Sequence, residues 1–149
     1  MIAISRRPVG RCWATISFAS TLYLCPILDL LVAEIPDQWQ AEVRLGLQEA
    51  LVNAAKHGNK LDPSKTVVVR FAMLADHYWW VISDQGAGFS SCCLSQVDPD
   101  GHLPPEESEC GRGLYILYKV FEQVVWNPDG TELSLCKQIK SRYRLPLFR

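Results

Sequence analysis

The sequence predicts an α+β fold, a two-layer sandwich with helices over one face of a mixed, mostly antiparallel sheet. Three features predict it: two amphipathic helical patterns early in the chain, two pairs of β-rich runs joined by turn signals, and a long aperiodic stretch between the pairs. With 149 residues, the chain is expected to form a single domain over residues 1–149, large enough for a real core.

The elements follow in order. From Trp13 to Phe18, Thr15 and Ser17 alternate with Ala14, Ile16 and Phe18, the period of a strand. Ser20 or Thr21 can cap a helix running to about Glu34, with Leu24, Ile27, Leu28 and Leu31 as its core face. Pro26 lies about a turn inside and argues for a later start. Pro36 and Asp37 open a second helix, Gln38 to His57, closed by Gly58, with an apolar stripe of Trp39, Val43, Leu47, Ala50 and Ala54. Thr66 to Leu74 and Tyr78 to Ser83 flank Ala75-Asp76-His77 as a hairpin. From Asp84 to Glu109 the chain turns to Gly, Ser, Pro and acidic residues, which reads as a functional lid or a disordered segment. A helix is expected from Leu114 to Glu122. Val124 to Trp126 and Glu132 to Ile139 then form a hairpin around Asn127-Pro128-Asp129-Gly130.

Composition narrows the function. A formal net charge of −1, with charges mixed along the chain, gives no basic excess to hold nucleic acid directly. The 48% hydrophobic and 21% charged residues are those of an ordinary globular protein. Cys12, Cys25, Cys92, Cys93, Cys110 and Cys136 include no C-x-x-C pair and no histidine at ligand spacing, so reduced thiols are expected. Arg6, Arg7 and Arg11 before the apolar stretch Trp13 to Ala33 superficially resemble a signal peptide. Pro26 and Asp29 break that stretch, and a bilayer-spanning helix would carry Asp29 at a cost of about 3 kcal/mol. A cytoplasmic protein without membrane attachment is the expectation.

Three segments carry candidate chemistry. In Glu49-Ala50-Leu51-Val52-Asn53-Ala54-Ala55-Lys56-His57-Gly58, Glu49 and Asn53 are four apart and share one flank of the helix. A carboxylate and an amide oxygen at the edge of the core suit a Mg²⁺ site that also needs a base. Alone, the pair reads more readily as a solvated helix edge, capped at His57-Gly58. In Asp84-Gln85-Gly86-Ala87-Gly88-Phe89, after a strand, the carboxylate can accept a hydrogen bond from an exocyclic amine such as that of adenine. The glycines let backbone approach a flat base. An isolated D-x-G-x-G is more often a plain turn. Gly111-Arg112-Gly113-Leu114 opens the expected helix, and a helix N-terminus with bare glycines and an arginine suits an anion. The segment is neither a Walker loop nor a dinucleotide fingerprint.

Taken in order, the acidic/amide helix, the D-x-G-x-G-F turn and a lid ending in G-x-G-L resemble the Bergerat-fold ATPases. That superfamily includes gyrases, a heat-shock chaperone, histidine kinases and mismatch-repair proteins. Within it, the short chain and the form E-A-x-x-N-A-x-x-H-G resemble the anti-sigma serine kinase branch, from about Thr15 to Ile139. The resemblance implies ATP and Mg²⁺ as cofactors, with Asn53 on the metal and Glu49 as general base toward a serine hydroxyl. It places Asp84, Gly86 and Gly88 around the adenine, with Thr131 nearby, and Gly111, Arg112, Gly113 and Leu114 on the phosphates under an ATP lid of about residues 90–112. It implies phosphorylation of a serine on an anti-anti-sigma (STAS) antagonist, partner switching with a sigma factor, and a homodimer. The alternative is a non-catalytic ATP-gated protein-binding module. A histidine kinase fragment ranks last, because His57, His77 and His102 are poorly placed as phosphoacceptors. Departures from the branch are Pro26 and the cysteines flanking the lid, Cys92, Cys93 and Cys110.

Overall fold

The computed structural model describes residues 3–6, 13–88 and 109–139. Its strands are β1 (Ala3–Arg6), β2 (Ala14–Ala19), β3 (Thr66–Leu74), β4 (His77–Ser83), β5 (Gln123–Trp126) and β6 (Glu132–Gln138). They form one six-stranded sheet in the order β1-β2-β3-β4-β6-β5, antiparallel at every pairing. The strand β1 was not expected; it adds to the edge of β2, with Ala3 opposite Ser17. The β3–β4 hairpin is tighter than expected: Leu74 pairs with His77, and Ala75 takes φ 57° in the two-residue turn.

Alternation along the strands sorts the sheet into two faces. Ile16, Phe18, Val67, Val69, Trp80, Ile82, Leu133 and Leu135 are buried on one face. They pack with Leu28 and Leu31 of α1 (Cys25–Val32), Val43, Leu47 and Leu51 of α2 (Asp37–Val52), and Leu114 and Leu117 of α3 (Glu109–Val120). The helix α1 starts later than its polar cap candidates because Pro26 belongs in a first turn, where its missing N–H costs nothing. On the opposite face the Ser83 hydroxyl donates to Glu132 Oε2 at 3.0 Å, and Arg70 reaches the same oxygen at 3.4 Å.

A buried lysine ties the helices to the sheet. Lys137 Nζ donates to the Val120 carbonyl at 2.8 Å, lies 2.7 Å from Glu42 Oε1 and 3.7 Å from Glu122 Oε1, and sits over the Trp39 ring. The cation thereby caps the C-terminus of α3 and fixes it to α2, a favourable place for positive charge.

Candidate functional site

The expected helix to His57 changes form part-way. After Val52 the α-helix gives way to a π-helical turn, Asn53–Gly58, a local widening often found at functional sites. Glu49 stands on the last α-helical turn and Asn53 is the first residue of the wide one, both half-buried. The third helix meets them at Gly113. A β-carbon on that glycine would lie 3.1 Å from Glu49 Oε2 and 3.6 Å from Asn53 Nδ2. Gly113, distant in sequence from Glu49 and Asn53, is thus brought beside both.

Asn53 also lines a cleft that runs away from Glu49 between the π turn and the ends of β4 and β6. Ala54, His57, Gly58, Asp84, Gly88 and Trp126 share its walls, with Ile82 and Leu133 at its base. Asp84 is the charged group within it. Burial pushes its carboxyl above the ordinary aspartate range, partly opposed by the Gly86 N–H and by the Lys65 cation. The Gly86 amide donates to Asp84 Oδ1 at 2.8 Å. The carboxylate rests on Gly58, where a β-carbon would lie 2.6 Å from Oδ2.

Bare backbone is needed at both glycines of the Asp84 loop. A β-carbon on Gly86 would sit 2.1 Å from the Gly58 carbonyl oxygen, and one on Gly88 would sit 2.0 Å from that of Asp129. Gly88 also takes φ 95°, open to glycine at little cost. Thr131 joins this end of the site. Its carbonyl accepts from the Asp84 N–H at 3.0 Å, and its own N–H donates to Asn127 Oδ1 at 2.9 Å.

The third expected segment sits differently from its sequence reading. The helix α3 begins at Glu109, so Gly111, Arg112 and Gly113 lie inside its first turns instead of preceding it. In an α-helix only the first four N–H groups lack a partner within the helix. Gly113 lies beyond those first amides and contributes its missing side chain against Glu49. Leu114 is fully buried in the core, so its side chain faces away from any phosphate, whereas Arg112 is exposed. Phe89, Cys92, Cys93 and most of the expected lid, 90–112, lie outside the described residues.

Two features of the site were missed. His57, read from sequence as a helix end, lines the cleft beside Asn53. Asn59, fully buried, binds Ser20, Thr66 and Gln85 at once. The motif E-A-x-x-N-A-x-x-H-G held the signal for His57. Nothing in sequence marked Asn59 out from any turn asparagine.

The Histidine kinase-like ATPase domain family matches residues 29–137, the span that contains Glu49, Asn53, Asp84 and Gly113 together. The chain belongs to the histidine kinase-like ATPase family. Among curated relatives, it is 30% identical to serine-protein kinase RsbW of Bacillus licheniformis over 101 residues, 64% of this chain and 62% of that protein. It is 27% identical to serine-protein kinase RsbW of Bacillus subtilis (strain 168) over 105 residues, 66% of this chain and 64% of that protein. The match thus spans less than two thirds of these relatives' length. Among the described residues, no helix of this ATPase-family chain is long and apolar enough to cross a membrane.

Proposed function

We propose that this chain is a cytoplasmic anti-sigma factor with protein serine kinase activity, which binds Mg·ATP and phosphorylates a serine on a STAS-type anti-anti-sigma antagonist. Phosphorylation of the antagonist switches the partner held by the kinase, a homodimer in this reading, between that protein and a sigma factor. The observation that carries the reading is the meeting of Glu49 and Asn53 with Gly113 at one end of a cleft holding a half-buried Asp84. The likeness to proteins named serine-protein kinase supports the same reaction.

The residues fit the groups that the reaction needs. The cleft has apolar walls, a carboxylate able to accept from an exocyclic amine, and glycines whose β-carbons would clash with neighbouring backbone. Asn53 presents one amide oxygen beside the Glu49 carboxylate. Mg²⁺ takes few protein ligands and completes its octahedron with phosphate oxygens and water, so this donor set suits it. When bound, Mg²⁺ supplies charge neutralisation across the phosphate oxygens. Asp84 orients the base, Asn53 holds the metal, and the first-turn amides of α3 with Arg112 lie along the phosphate side. Glu49 accepts the proton of the incoming serine hydroxyl as its oxygen bonds to the γ-phosphorus and the bond to the β–γ bridging oxygen breaks, releasing ADP.

Incubating the protein with Mg²⁺, γ-labelled ATP and each STAS-type protein of the source genome tests this. Label is expected on a serine of one partner, and none with Glu49→Ala, whose ATP affinity stays near wild type. Label transfer by Glu49→Ala at the wild-type rate would remove Glu49 from the mechanism. ATP binding with no transfer to any partner would leave an ATP-gated binding module instead.

A further inference from the structure

We propose that Asn59 is a positioning residue that sets base selectivity by clamping the Asp84–Gly86 loop onto the end of the π turn. The inference rests on Asp84 as the group that recognises the base.

The geometry is a four-way junction. Asn59 Nδ2 donates to Ser20 Oγ and to the Thr66 carbonyl, each at 2.9 Å. Its Oδ1 accepts the Gln85 N–H at 2.7 Å, and its own backbone N–H returns to the Ala54 carbonyl at 2.9 Å. One residue with no solvent exposure thereby gathers the end of β2, the start of β3 and the loop after β4 through its side chain, and the π turn through its backbone. Both amide hydrogens and the oxygen are used.

The contact to Gln85 acts on Asp84 through the next peptide. Successive N–H groups leave the loop in two directions, that of Gln85 to Asn59 and that of Gly86 to Asp84 Oδ1. Fixing the first fixes the peptide that orients the second, and with it the carboxylate. Gly86 can lie this close to the Gly58 carbonyl, one residue before the clamp, only because it has no side chain: a β-carbon there would sit 2.1 Å from that oxygen. A second support comes from Gln85 itself, whose Oε1 accepts the Thr66 N–H at 2.8 Å. Base selectivity follows from this orientation: a fixed carboxylate accepts from an exocyclic amine and repels a carbonyl oxygen at the same place.

The test compares affinities for ATP and inosine triphosphate, which differ at that amine. Titration calorimetry on the full chain would measure both for wild type, Asn59→Ala, Asp84→Asn and the double variant, with thermal melts alongside. Asn59→Ala is expected to lose about 10-fold in the ATP-to-inosine preference. In the Asp84→Asn background it should change that preference no further. A merely structural role would lower the melting temperature and weaken both nucleotides equally, and an unchanged ratio overturns the proposal. Should Asn59→Ala fail to fold, Ser20→Ala removes one anchor, and a ratio reduced about two- to threefold supports the clamp whereas an unchanged ratio rejects it. If Asp84→Asn itself leaves the ratio intact, base recognition by Asp84 fails and this inference falls with it. A shifted ratio in Asp84→Asn beside an intact one in folded Asn59→Ala overturns the clamp alone.

Discussion

Replacing Gly113 with alanine separates the two demands placed on α3. In a helix interior, alanine is favoured over glycine by about 1 kcal/mol. The added methyl would lie 3.1 Å from Glu49 Oε2, with the Asn53 amide atoms no nearer than 3.6 Å. That first distance is tighter than an ordinary carbon–oxygen contact, so the carboxylate must retreat by a few tenths of an ångström. The obstructing atom is the end of a flexible, half-buried side chain, so it can retreat with little cost to folding. A misplacement of 1 Å at a reacting group can cost about 100-fold in rate, and a few tenths scale to about 3- to 10-fold. Gly113→Ala is therefore expected to melt at the wild-type temperature or up to about 4 °C higher. Its single-turnover phosphotransfer at saturating Mg·ATP should fall about 3- to 10-fold, with ATP affinity unchanged. A higher melting temperature with an unchanged rate would show that the proton acceptor does not depend on this contact. A lower melting temperature would show that the methyl strains backbone instead of moving the carboxylate.

Asp84 carries a pH signature. Its folded pKa is raised by burial, so its contribution to the stability of the nucleotide-free fold is lost as pH rises through that raised value and regained below it. ATP affinity should run the other way, weakening from above the ordinary aspartate value of about 3.9 as the carboxyl protonates. Asp84→Asn should flatten this ATP profile and lower neutral-pH affinity about 10- to 100-fold; a profile shared with wild type would exclude Asp84 as the titrating group. At the other end of the molecule, Lys137→Met leaves the Val120 carbonyl without its donor and Glu42 and Glu122 without their cation. Both glutamates keep nearly half their side-chain surface in water, so the cost is about 1–3 kcal/mol, below that of a fully buried pair. Chemical denaturation would read this directly, and a variant as stable as wild type would make the lysine a bystander.

Much of the fold was legible because burial imposes period. The strand at Ile16 and Phe18, the helix stripes through Leu28 and Leu31 and through Val43 and Leu47, and the final hairpin at Asn127–Gly130 stand where alternation and turn chemistry place them. The candidate residues were legible as types: a carboxylate four positions before an amide, and an aspartate before two glycines. What periodicity cannot carry is a contact between segments. Asn59 spans 39 residues to Ser20 and 26 to Gln85, and no local pattern distinguishes it from an asparagine that merely turns the chain. Strand β1 was missed for a similar reason, since its pairing with β2 is specified by register and not by composition.

The helix α3 shows why propensity fails at the site in particular. Two glycines two and four residues after the polar stretch that ends at Glu109 argue for starting the helix beyond them, because each glycine costs about 1 kcal/mol against alanine. The helix forms through them because Leu114, Leu117 and Val120 are buried against the core and tertiary packing outweighs intrinsic preference. Gly113 is kept at that cost because any larger residue would press on Glu49. The same trade recurs at Gly46 on α2, where a β-carbon would meet the Phe121 ring at 2.6 Å. One glycine lets helix approach ring; the other lets helix approach carboxylate. A local rule broken at Gly113, within reach of both Glu49 and Asn53, marks the place where close approach matters more than helix stability.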